Sequence, residues 1–167
     1  MARTTAEALD RLQDLLVHPD FGVNTRMAAI EARDGVIIQR IAPEQVALMN
    51  LPADVADANL DCEYPVIYLF ADEAHNENRE RFAWFSGTIA LGIDVRISAD
   101  RPDALEASIH RYTEAVIDVL QDSEGEWSAG LMYGGRYTVR YNPSVLGGDN
   151  FLQSARISLT LEQHVAF

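Results

Sequence analysis

One cysteine, Cys62, in 167 residues excludes an intramolecular disulfide, and four scattered histidines argue against a closed structural zinc site. Long apolar runs are missing too: the longest, residues 65–71, falls far short of the roughly 20 residues a membrane-crossing helix needs. The opening Met1-Ala2-Arg3-Thr4-Thr5-Ala6-Glu7 lacks the apolar stretch and small-residue cleavage site of a secretory signal. The expectation is therefore a soluble protein made in a reducing compartment. Basic residues are scarce, with 13 Lys and Arg against 26 Asp and Glu and a formal net charge of −13. Such a balance repels phosphate backbones and disfavours tight nucleic-acid binding. It serves solubility, or a surface past which DNA moves without sticking.

What is present is the composition of one globular domain spanning 1–167, with 48% apolar and 23% charged residues. A chain of this size buries roughly 70% of its extended surface on folding and needs no covalent staples. Thr4 followed by Glu7 has the form of a capping box, and Leu9, Leu12, Leu15 and Leu16 recur at helical spacing until His18-Pro19. A second helix is predicted over 24–33, closed by Asp34-Gly35, then a strand over 36–41. Residues 42–59, interrupted by Pro43 and Pro52, fit no single element.

Residues 64–71 read as an apolar strand and 72–81 as an exposed polar loop. From Thr88 the alternation is clean: Ile89, Leu91, Ile93, Val95 and Ile97 share one face, and Thr88, Ala90, Gly92, Asp94 and Arg96 the other. Asp100 is placed to cap a helix over 102–120 whose buried stripe is Leu105, Ile109, Tyr112, Val116, Val119 and Leu120. A strand or strand pair over 127–141, broken near Gly134-Gly135, and a loop over 142–150 lead to a last strand in which Ala155, Ile157, Leu159 and Leu161 face inward. The fold class is α+β: a single antiparallel or mixed sheet of about five strands, one long helix packed on its apolar face, and N-terminal helices.

Motifs that carry chemistry are thin. Asp72-Glu73-Ala74-His75 spells the DEAH signature of helicases, yet no Gly-x-x-x-x-Gly-Lys-Ser/Thr phosphate loop accompanies it. Asp72, Glu73, His75 and Glu77 offer oxygen and nitrogen donors for a metal, which is the basis of an alternative reading as a small metal-dependent, hydrolase-like enzyme. A solvated loop carries the same residues without any such role. There is no Gly-x-Ser-x-Gly elbow; His164 lies on the polar face of the last strand, and His18 and His110 read as surface residues. The carboxylates beside Cys62, Asp61 and Glu63, disfavour a reactive thiolate. Phe82 and Trp84 extend the strand pattern backward onto the face opposite Ile89, as a second small core or as a docking patch, and Trp127 poses the same choice.

The order of helix, strands joined by a polar hairpin, one long helix and two closing strands ending in Phe151-Leu152-Gln153-Ser154-Ala155-Arg156-Ile157-Ser158-Leu159-Thr160-Leu161 resembles the tail terminator and related neck or tail-completion proteins of long-tailed bacteriophages. The likeness covers most of the chain and lies in the pattern of elements. It implies a non-enzymatic virion subunit without cofactor or metal, forming a homo-oligomeric ring, commonly hexameric. That ring would stop the tail tube and join it to the head, with the tail-tube protein and a head-closure or connector protein as partners. DNA would pass through unbound. The contact residues expected on this reading are Asp72, Glu73, His75, Glu77, Arg79, Phe82 and Trp84; a tail-tube or other capsid-associated subunit is the further alternative.

Overall fold

The computed structural model describes residues 2–50, 63–77 and 86–163, with side chains from Thr4 onward. In chain order these form α1 (Ala2–Val17), α2 (Val23–Asp34), a 3₁₀ turn (Pro43–Gln45), β1 (Val46–Leu48), β2 (Val66–Asn76), β3 (Gly87–Ala99), α3 (Asp103–Asp122), β4 (Gly125–Ser128), β5 (Leu131–Tyr141), β6 (Val145–Gly147) and β7 (Asn150–Gln163). The class is α+β, with three helices on a mixed sheet of seven strands instead of about five. Strand order is β1-β2-β3-β7-β5-β4, with β6 pairing the start of β7. β1 runs parallel to β2 and every other pairing is antiparallel.

Alternation decides which face is core. Leu69, Ile93, Ile157 and Val139 stand opposite one another on four neighbouring strands and form one row of the apolar face. α3 lies across this face, touching β3 and β7, while α1 packs near β1, β2 and β4, and α2 rests on α3. The predicted stripe of α3 is buried throughout, joined by Thr113 and Ala115. Each fully buried aliphatic side chain of that stripe contributes about 1.5–3 kcal/mol relative to exposure. Ala8, Leu12, Leu15 and Leu16 do the same for α1. No helix among the described residues is long and apolar enough to cross a membrane.

Helix ends differ from expectation in detail. α1 starts at Ala2, so Thr4 lies inside the helix and not at its cap. α3 begins after Pro102 without a side-chain cap, and Arg101 instead grips Asp103 through two bonds of 3.0 and 2.7 Å. α2 closes on Gly35, which takes a left-handed φ of 67° and donates its N–H to the Glu31 carbonyl. α2 and α3 are laced by Arg33 with Glu114, Asp34 with Arg111 at 3.1 Å, and Arg26 with Asp122 at 2.5 Å. Such exposed pairs are worth about 0–1 kcal/mol each and orient the helices more than they hold them.

Three expectations are corrected here. The predicted strand over 36–41 is irregular: the N–H groups of Ile38 and Ile41 bond the side chains of Glu31 (2.5 Å) and Asn24 (2.9 Å) on α2, not a neighbouring strand. Arg40 is the first cause holding the Glu31 carboxyl below its usual range, and the Ile38 N–H is the second. Of the expected polar loop over 72–81, residues 72–76 are strand, because β2 continues through Asn76 and pairs with β3, while 78–81 lie outside the described residues. The strand pair over 127–141 turns at Ala129-Gly130, and Gly134-Gly135 mark a register shift inside β5. Of 42–59, the described part is the 3₁₀ turn and β1; 51–62, with Cys62, lie outside the described residues, as does His164.

Candidate functional site

The sheet has a helix-covered face and an open one, and of the expected contact residues Asp72, Glu73, His75 and Glu77 fall on the open one or at the outer end of β2. Asp72 sits at a register shift in the β2–β3 ladder, where an extra residue lets its side chain reach across two strands. Its Oδ1 accepts a 2.5 Å bond from Nη2 of Arg156 on β7. The Arg156 guanidinium in turn lies 4.6 Å from the centre of the Phe70 ring. One level down, Arg96 lies 4.8 Å over the Tyr68 ring and donates to Asp94 at 3.0 Å. Two arginine–aromatic–carboxylate sets therefore pave the middle of the open face, and desolvation by the rings strengthens them. Gly92 makes room for the first set, since a Cβ there would meet Phe70 Cε2 at 2.3 Å.

Glu73 and His75 stand further out, opposite Ala90 and Thr88, with Glu77 just past the strand end. Asp72 is thus engaged by Arg156, and among the described residues no three His, Cys, Asp or Glu side chains gather as metal ligands. Arg79, Phe82 and Trp84 belong to 78–85, outside the described residues. Trp127 is core: it is 7% exposed, tilts against Tyr133 at 5.3 Å, and donates Nε1–H to the Ser123 carbonyl at 2.8 Å. Burial pushes the Tyr133 phenol up to about 12.

A cleft of about 220 Å³ between the irregular 36–41 segment and the start of α3 has its polar groups already engaged. Arg111 holds Asp34, and the Tyr112 hydroxyl donates to the Gln39 carbonyl at 2.9 Å. Burial pushes the Tyr112 phenol up to about 12, so it stays a neutral donor.

Among the described residues, the groups left without a strand partner are backbone ones at both borders of the sheet. β1 covers β2 only from Ile67 to Leu69 (the partners of Val46, Ala47 and Leu48 are Ile67, Tyr68 and Leu69), with Met49 adding one bond to the Leu69 carbonyl. Beyond Leu69 no described strand lies along the side of β2 away from β3. At the opposite border β4 covers β5 only up to Tyr133, and no described strand flanks residues 137–141 on the side away from β7. Strand edges of this kind present rows of N–H and C=O groups that pair readily with another chain.

The two borders carry opposite charge. β2 holds Asp72 and Glu73, followed by Glu77, and no Lys or Arg; β5 holds Arg136 and Arg140 and no carboxylate. Both arginines are exposed and form no ion pair among the described residues. Arg140 even stands directly opposite Arg156, an unfavourable neighbour. The chain contains no lysine, a residue often used to blunt exposed edges. Sequence reasoning missed the β5 border. Its signal was there in Leu131-Met132-Tyr133-Gly134-Gly135-Arg136-Tyr137-Thr138-Val139-Arg140-Tyr141, a strand with cations and no anion in a chain of net charge −13. Part of the carboxylate excess lies on α3, with Asp103, Glu106, Glu114, Asp118 and Asp122 against Arg111.

Compared with models of protein families and with curated proteins, the chain matches none.

Proposed function

We propose that the protein is a structural subunit that assembles with copies of itself into a ring, at the neck or tail end of a bacteriophage virion. There it stops the tail tube and joins it to the head through a tail-tube protein and a head-closure or connector protein. The observation that supports assembly is the sheet itself, which ends on both sides in a strand edge longer than the short strand covering it. A contact between unlike edges repeats from copy to copy, and when the rotation closes it yields a ring of one kind of subunit. The virion setting is supported by the order of elements, a helix pair, a long hairpin, one long helix across the sheet and closing strands, which resembles tail terminators. The net charge of −13 suits a channel that DNA crosses without sticking.

Light scattering of the full chain during size-exclusion chromatography, with electron microscopy of the same fractions, tests this. Closed rings of uniform size are expected. Monomer at every concentration from micromolar to millimolar contradicts the proposal, and open stacks would favour a tail-tube subunit.

A further inference from the structure

We infer that the border strand β2 of one copy adds to the border strand β5 of the next as an antiparallel neighbour, with Glu73 of the first meeting Arg140 of the second. The inference rests on the assembly reading above and names the surface that performs it.

Direction comes first. β2 is antiparallel to β3, β3 to β7 and β7 to β5, so β2 and β5 run opposite ways. Copies repeated side by side, all with helices on the same side, therefore bring β2 against β5 in antiparallel register. The apolar face then continues from one copy to the next beneath an unbroken helix layer.

Side-chain placement agrees. Glu73 is opposite Ala90, and Arg140 is opposite Arg156, which is opposite Asp94. Ala90 and Asp94 lie an even number of residues apart on β3, so Glu73 and Arg140 project from the same open face. Their levels differ by four residues along β3 (94 − 90), roughly 13 Å. Opposing them in the joint requires a stagger of that size between copies. Stagger and strand tilt are what close a sheet on itself.

Charge then selects the partner. A two-fold pairing of β2 with β2 also has antiparallel geometry, but it sets Glu73 and its acidic neighbours against their own copies. A β5 pair likewise sets Arg140 against Arg140. Only the unlike joint matches signs, and unlike joints build rings or filaments instead of dimers. The ladder bonds supply affinity, and the charges choose which edges meet.

The test is a charge exchange in the full chain, read by sedimentation equilibrium, with circular dichroism checking that each variant is folded. Glu73 and Arg140 are exposed, so folding should be unaffected. Glu73→Arg alone and Arg140→Glu alone should each weaken assembly by about tenfold or more. The double variant Glu73→Arg/Arg140→Glu should return to within about threefold of the unmodified protein. Mixing the two single variants should also restore assembly, because each then offers the edge the other lacks. If the unmodified chain assembles but both single variants assemble equally well, the β2–β5 joint is wrong and the ring reading survives. If the unmodified chain never assembles, both fail.

Discussion

Ile93→Ala is expected to lower the stability of the protein by about 2–5 kcal/mol. Ile93 is fully buried in β3, the strand at the centre of the sheet, with Leu69 on one side and Ile157 on the other. It belongs to the row that crosses four strands beneath α3, so truncation removes apolar contacts from both the sheet and the helix layer. The cavity left behind cannot collapse easily, because β3 is held by ladders on both flanks. Urea unfolding followed by circular dichroism measures the effect as a lower midpoint with unchanged slope. A loss under about 1 kcal/mol would mean that the row is not the packed centre described above.

Gly92→Ala, one residue away on the opposite face, is expected to cost about 1–3 kcal/mol by overpacking. The added Cβ would lie 2.3 Å from Cε2 and 2.4 Å from Cζ of Phe70, a ring that is 4% exposed. The ring must move, and with it goes the surface on which the Arg156 guanidinium rests. Because Arg156 also holds Asp72, the strain reaches the border strand β2. A double-mutant cycle checks this path. In a Phe70→Leu background the Gly92→Ala loss should shrink by more than about half, since the clashing ring atoms are gone. Equal losses in the two backgrounds would show that the ring is not what Gly92 accommodates.

Long periodic elements were legible in the sequence, and short or edge elements were not. The stripe of α3 and the alternation of β3 and β7 emerge because burial on one side imposes a period over many residues. The five-strand expectation missed β1 and β6, each three residues long and too short to show a period. The segment 36–41 was misread because Ile37, Ile38 and Ile41 look strand-like. Yet Ile37 is 97% exposed while Ile38 and Ile41 are buried, and side chains of α2 take over the backbone bonding. Asp72, Glu73 and His75 looked like a loop because an outer strand with an open face has no reason to be apolar. The acidic border was therefore read as a loop, and the basic border on β5 went unnoticed. Opposite charge on two distant strands becomes a signal only when the topology shows that both are borders.

Cross-linking between those borders tests the central claim most directly. In a Cys62→Ser background, the full chain carrying both Glu73→Cys and Arg140→Cys would be treated with a short bismaleimide and separated under denaturing conditions. The account predicts a ladder of covalent multimers ending at one ring size, while either cysteine alone gives only monomer. A dimer from Glu73→Cys alone, or no ladder from the double variant while the protein is assembled, would contradict it.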